Sequence, residues 1–553
     1  MTSTIPPTTA PTARLGSGAR IGIALALLLP ALLALAWSYA LPTLLAVRRS
    51  TTRDNLLAPP QDVGGANYQA RLEQGFIGEL GLALLLAVVP LVLALLVAPV
   101  LAALADRAGR RARLATRALL AVPVAGYAPV ALLVGWRLDR IDPVSAVQQP
   151  AAALVALSAV SGAGLIVAVA TTAFLGTLRG RRRPVDALPA AGVVGGLLLL
   201  GITATALQSF TAPLLISSAT GRTPLAGSIA FAFARMELGL GSAGAVLLLG
   251  PLMLLGLAAT ALLLASRARI EVATADVDVP AQVQVPIGGD ARTGGGGRPA
   301  RIVLAVAGGV FVGLLLWGAW PWLRRSLRFT NDVAPFAAPD LSATLLWTWL
   351  PPLLSTVVAV GVAAVAGFAI GGLRPFGRFS ELLLVPFAPW LFVGTGPLAI
   401  ESYLRTRDLG QLDTFLGLVP PGWVSVPALF AFTLLFRGLE PRWRAGGGFG
   451  RTMIAPAAPM VVLAGLLTWL VGAGQVLWPW LVAQSPTTRP APLEAFAQSA
   501  AGRVAADELA LGAVLPLPLM LLFLAAFVGL QLGYLDRLAI RTGGRPGGGP
   551  AAD

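Results

Sequence analysis

The chain has no cysteine and no histidine. Disulfides, thiolate nucleophiles, His-based hydrolytic triads and zinc sites built on His or Cys are excluded with them. Lysine is missing too, so all 40 basic residues are arginine. Charge of either sign is scarce: 12% of the 553 residues are charged, against roughly 25% in a soluble chain. Hydrophobic residues make up 56%, and the mean hydropathy is +0.79. That balance excludes a water-soluble globular enzyme and fits a membrane protein without thiol or imidazole chemistry.

The apolar residues fall in long runs. A helix needs about 20 of them to cross about 30 Å of hydrocarbon. Twelve segments come within a few residues of that length: Gly22–Leu45, Leu80–Ala103, Leu119–Gly135, Leu154–Leu175, Ala187–Leu207, Gly244–Leu264, Ile302–Trp320, Leu350–Gly371, Leu382–Ile400, Leu416–Phe436, Met453–Gly472 and Leu509–Leu530. Unpaired backbone groups are not tolerated in lipid, so each is expected to be helical. The predicted fold class is an all-α membrane protein of about twelve transmembrane helices. The first segment is too long for a signal peptide and lacks a small-residue cleavage site, so it reads as a signal anchor.

Arginine sets the orientation. With both termini in the cytoplasm, the cytoplasmic tails and loops hold 25 Arg and the outer loops 15. Acidic residues split 10 inside and 15 outside, which puts the whole net charge of +15 on the inner face. The positive-inside rule favours this orientation. Nucleic-acid binding, the common reading of a basic chain, loses because the charge is spread over short loops between spans.

Residues 266–300 hold Gly294 to Gly297 among scattered Asp, Pro and Arg, a composition that reads as a flexible cytoplasmic linker. It separates a first six-helix half, 1–265, from a second, 301–536; residues 537–553 read as a disordered cytoplasmic tail. The halves repeat. Leu188-Pro189-Ala190-Ala191 answers Ala455-Pro456-Ala457-Ala458, and Gln208 answers Gln475, both at an offset of 267. Pro213-Leu214-Leu215-Ile216 answers Pro479-Trp480-Leu481-Val482 at 266, and Pro251-Leu252-Met253 answers Pro518-Leu519-Met520 at 267. Glu237 to Gly241 answers Glu508 to Gly512 at 271. Matches in this order at nearly one offset indicate an internal duplication. Because each half has six expected spans, the repeat keeps its orientation, and such pairs commonly frame a central path.

Several of these stretches resemble a known family. Gly64-Gly65-Ala66-Asn67-Tyr68 stands where the membrane permeases of carbohydrate-type ABC importers carry a GLxNY element. An Arg-rich turn and Leu120-Ala121-Val122-Pro123 follow the second span, as in that family. Thr223 to Phe233 and Glu237 to Ala243 resemble the outer segment leading into its last helix. In the second half, Leu409 to Leu418 and Gln475 to Pro479 are similar to elements of the partner permease. The resemblance implies two permease halves fused in one chain of the plasma membrane, passing a sugar or other small polar solute. It also implies separate ATPase subunits on the cytoplasmic face and an extracytoplasmic solute-binding protein. No Walker P-loop is present in the chain, so an ATPase would be another polypeptide.

The sequence departs from this family at its coupling loops. The family's loop carries Glu-Ala-Ala and folds into the helix that docks on the ATPase. Here the first loop has only Arg181-Arg182-Arg183-Pro184-Val185-Asp186, and the second has Arg442-Trp443-Arg444 followed by Gly446 and Gly447. Neither has the Glu-Ala-Ala, and a glycine run is a poor helix former. The ATPase-coupling candidates are therefore Arg181, Arg182, Arg183, Asp186, Arg442, Trp443, Arg444, Gly446 and Gly447. A competing signal, Ala102 to Arg111 with Asp106, Arg107 and Arg110, resembles the cytoplasmic turn of major-facilitator carriers. The long outer segments 48–79, 208–243 and 474–508 favour the importer, which uses that side to receive a binding protein. A non-transporting, permease-like scaffold is a third reading.

Almost no ionisable residue lies deep in an expected span. Glu381 and Glu401 flank the ninth, and Glu237 and Glu508 precede the last helix of each half. Proton coupling and membrane-embedded hydrolysis both call for buried titratable groups, so no catalytic residue and no metal or other cofactor is expected. A neutral polar solute needs amides, hydroxyls and aromatic walls. Gln208 and Gln475 each lie 19 residues beyond the proline that opens the preceding helix. With Ser209, Phe210, Trp478 and Trp480 they form the solute-path candidates, though Trp at a membrane interface is ordinarily a belt residue.

Overall fold

The computed structural model describes residues 17–54, 59–139, 150–181, 184–216, 223–273, 297–326, 341–500 and 514–543. Among them nine helices are long and apolar enough to cross a membrane, or ten if one bent pair is a single span. The chain is a multi-pass helical membrane protein.

In the first half α1 (Gly18–Ser50) and α2 (Phe76–Arg107) are followed by the bent pair α3 (Arg110–Ala125) and α4 (Pro129–Asp139), which turn by 74°. Then come α5 (Pro150–Leu178), α6 (Leu188–Leu207) and α7 (Leu238–Ser266). The second half opens with α8 (Arg298–Arg324) and α9 (Ser342–Leu373). The ninth expected span, Leu382–Ile400, is not one α-helix. A 3-10 helix covers Gly377–Trp390, and α10 (Ala399–Asp408) starts after a break. Pro386 and Pro389 are three residues apart, which suits the three-residue turn of a 3-10 helix, and Gly394, Gly396 and Pro397 end the run. The tenth, Leu416–Phe436, is interrupted by Pro420-Pro421-Gly422; α11 (Val426–Arg444) begins beyond them and runs past the expected end into Arg437, Glu440 and Arg442. Last come α12 (Gly450–Ala473) and α13 (Leu517–Gly533).

Packing crosses between the halves. From the first half, α1 lies against α9, and α7 against the 3-10 helix. From the second, α8 lies against α2 and α4, and α13 against α3. A single core cluster holds Leu28, Leu207, Leu252, Ile370 and Phe432 from both halves.

The exchange ends in two short strands. β3 (Arg269–Val272) follows α7, and β4 (Leu538–Arg541) follows α13. They pair antiparallel, with Ile270 opposite Ile540 and Val272 opposite Leu538. β3 rests on α11 of the second half and β4 on α5 of the first. Glycine makes room in both places. A Cβ at Gly438 would overlap the Ile270 carbonyl oxygen, and one at Gly176 would stand 3.4 Å from the Ile540 side chain. The strands mark the linker face, since α7 ends and α8 begins there; the C-terminal end of α1 marks the opposite face. A smaller ladder there pairs β1 (Thr52–Arg53) with β2 (Gln61–Asp62).

Candidate functional site

The bent pair of the first half and the broken ninth expected span of the second carry matching breaks. The first lies at Gly126-Tyr127-Ala128 before Pro129; the second holds Gly394 and Pro397 with the same spacing, at an offset of 268. Interrupted backbone inside a span must find hydrogen bonds from neighbours or line a cavity. Gln208, at the C-terminal end of α6, supplies them to the second break. Its Nε2 donates to the Phe392 carbonyl at 2.7 Å and to the Ala204 carbonyl at 2.9 Å. Its Oε1 accepts from the Gly394 N–H at 2.7 Å. At 1.5 Å per residue, Gln208 is about 28 Å beyond Pro189 and the first break about 24 Å beyond Arg110, so both stand near the opposite face. The end of α12 meets the first break: Pro129 Cδ is 3.6 Å from the place of a Cβ on Gly474.

The other solute-path candidates divide. Phe210 and Trp480 meet across the halves, ring centroids 6.1 Å apart. The Ser209 carbonyl accepts from the Thr223 hydroxyl. Gln475 and Trp478 instead line a small pocket with Trp347, Thr348 and Pro352. Trp478 is 2% exposed and its Nε1 donates to the Gly417 carbonyl at 3.0 Å, so it is a packed core residue rather than a belt residue. The structure therefore brings Gln208, Ser209, Phe210 and Trp480 to one region and sets Gln475 and Trp478 beside it.

Ion pairs close this end. Arg49 Nε donates to Glu401 Oε1 at 2.6 Å, and the same guanidinium pairs with Asp54. Glu401 is 2% exposed. Tyr39 donates to the Val424 carbonyl at 3.3 Å, and the Trp423 N–H donates to Ser38 Oγ at 3.1 Å. The sequence reading left Glu401 without a partner; the Arg48-Arg49 pair at the C-terminal end of the first span was the available signal. Buried Arg71, paired with Glu79 and stacked over Phe76 and Phe231, was also missed, because it falls in what read as an outer loop.

At the linker face a carboxylate from the second half enters an arginine cluster of the first. Asp536 lies 3.0 Å from Arg113, 3.3 Å from Arg117 and 3.7 Å from Arg179, and Arg113 reaches Asp106 at 3.5 Å. Burial pushes the Arg179 guanidinium down from its ordinary value, and the Asp536 charge opposes that shift. The coupling candidates of the second half are engaged within the chain. Arg442 donates to the Val272 carbonyl at 2.8 Å, and Arg444 pairs with Glu440. Trp443 packs among Phe368 and Phe449, with centroids at 5.8 and 5.7 Å. Gly446, at φ 100°, and Gly447 form the turn from α11 into α12. In the first half Arg181 is half-buried, and Asp186 is exposed on a 3-10 turn, Pro184–Ala187. Arg182 and Arg183 lie outside the described residues, as do Glu508 and most of the linker.

No group of three or more His, Cys, Asp or Glu among the described residues could hold a metal ion. No family model matches the chain, and no curated protein or solved structure gives a significant match.

Proposed function

We propose that this protein is the permease of an ABC-type importer. Its two duplicated six-span halves frame a path for a sugar or other small polar solute in the plasma membrane. ATPase subunits act from the cytoplasmic linker face, and an extracytoplasmic binding protein delivers solute at the opposite face.

One observation carries the reading: the contact between halves is closed at one end and open at the other. Arg49–Glu401, the Gln208 clamp and the Phe210–Trp480 contact seal the opposite face, while a cleft of about 830 Å³ opens between the halves at the linker face. One-sided closure is what alternating access calls for, and broken helices at corresponding positions of two halves point to a substrate site at their interface. The duplication is supported by exchanged packing: α1 and α7 lie against the second half, α8 and α13 against the first, and β3 pairs with β4. Phe210, Trp480 and Gln208 are the residues assigned to the solute path. The turns around Arg181 to Asp186 and Arg442 to Gly447 are assigned to the ATPase.

Purifying the intact chain from its own membrane in a gentle detergent tests this. An ATPase and a binding protein should co-purify with it; recovery of neither overturns ATP-driven import.

The Asp106–Arg113–Asp536 network favours one second reading, a major-facilitator-like carrier gated at this loop. In the importer, Arg113 keeps Asp536 without Asp106, so Asp106→Ala leaves uptake intact and stability within about 0.5 kcal/mol. Abolished flux in a normally inserted Asp106→Ala protein selects the carrier.

A further inference from the structure

The linker-face cleft has a charge surplus. It lies between the end of α7 and the 3-10 helix and α11 of the second half, and six arginines line it against three glutamates. Glu381 is shared by Arg437 at 3.1 Å and Arg374 at 3.6 Å. Glu440 takes Arg444 and, at 3.9 Å, Arg374. Glu271 takes Arg269 at 2.7 Å and Arg541 at 3.7 Å. Arg267 and Arg378 have no carboxylate partner among the described residues, and Arg374 Nε is buried without a hydrogen bond to them.

The counterpart cluster in the first half is closed by the chain itself. Asp536, just after α13, neutralises Arg113, Arg117 and Arg179. The corresponding place after α7 holds Arg267 and Arg269, so the second cluster receives more cation where the first receives an anion. Among the described residues no further carboxylate closes it, which leaves the surplus free to take an anionic ligand.

Backbone geometry singles out the same residues. Arg267 (φ 50°) and Arg374 (φ 48°) are two of four non-glycine residues in the left-handed region among those described. Both cap helix C-termini, where glycine is the unstrained choice. Arginine is held in two strained positions beside one cleft.

The adjoining wall is apolar and exposed. Side chains three apart eclipse in a 3-10 helix, so Phe379, Leu382 and Val385 form one row with Phe376, the residue before it. All four are exposed, at 44% to 55%, and Phe379 and Leu382 also line the cleft. Cations beside an exposed apolar row fit an amphiphile.

We propose that this cleft binds an anionic phospholipid of the bilayer. Its phosphate lies among Arg267, Arg374 and Arg378, and its acyl chains lie along the Phe379–Val385 row. Basic pockets between helices on the cytoplasmic side have the chemistry to hold such headgroups. The assignment shares its cleft with the open end of the transport reading but uses none of the residues assigned to the solute path, and lipid retention is read without uptake or an ATPase.

The test is native mass spectrometry of the purified full chain exchanged between phosphatidylglycerol and phosphatidylcholine. The unmodified protein should retain phosphatidylglycerol selectively. Arg267→Gln with Arg378→Gln should lower that retention about thirtyfold, from about 1 kcal/mol per charge. Phe379→Ser with Leu382→Ser should also lower it, whereas Arg110→Gln with Arg111→Gln, two exposed arginines near the closed cluster, should not. Melting temperature and elution volume confirm that each variant is folded. Unchanged retention in the Arg267/Arg378 variant overturns the proposal. So does displacement of the lipid by excess inorganic phosphate together with indifference to the Phe379/Leu382 change, which would make the ligand a soluble phosphate. An acidic protein bound at the cleft with no lipid preference overturns it as well.

Discussion

Gln208 makes three hydrogen bonds, two of them to backbone at the break that no helix satisfies. Gln208→Leu keeps the size of the side chain and leaves the Phe392 carbonyl and the Gly394 N–H unmet. The cost should be about 2 kcal/mol, read as a lower melting temperature in detergent. Gln475 lies at the place that the expected repeat makes equivalent, yet its side chain makes no hydrogen bond to the described residues. Gln475→Leu should therefore stay within about 0.5 kcal/mol. Equal losses at both positions would show that neither amide is specially placed. At this scale the sequence made the two glutamines equivalent candidates. Their difference arises because the Phe392–Gly394 backbone comes to one of them from 184 or more residues away in the chain.

Two elements are held by exchange rather than by their own neighbours. β3 can rest on α11 only because Gly438 offers no side chain to the Ile270 carbonyl. Gly438→Ala puts a methyl into that contact, and overpacking of this kind costs about 1–3 kcal/mol. Directly opposed residues of an antiparallel pair bring their Cβ atoms within about 5.5 Å. Ile270→Cys and Ile540→Cys, in a chain with no cysteine of its own, should therefore join on mild oxidation. Adding Gly438→Ala should suppress that cross-link; persistence at full yield would mean that β3 does not depend on α11. The breaks in the ninth and tenth expected spans were legible as Pro and Gly clusters, since these residues remove donors and loosen the backbone locally. Mean apolarity outweighed them in the sequence reading, which is why twelve spans were expected and nine or ten are present among the described residues.

Over the whole molecule, arginine predicts the orientation and helix packing predicts the shape. A single cysteine replacing Gly295 in the linker should resist impermeant thiol reagents in intact cells and react after lysis. Labelling in intact cells would reverse the assignment of faces. The sequence by itself determined that this is a multi-pass helical membrane protein, because apolar length and backbone satisfaction are local properties of each segment. It also marked ten of the twelve expected positions at which the structure carries a span, counting the bent pair. It could not assign partners to charges. Which carboxylate meets Arg49 or Arg113, which helix receives the strand after α7, and which arginine cluster stays open all depend on contacts hundreds of residues apart. Two arginine clusters at the linker face differ in tertiary structure: Asp536 fills one, and Arg267 and Arg269 stand beside the other. The physical reason is that a buried cation needs a counter-charge, and only the folded chain decides whether it can supply its own.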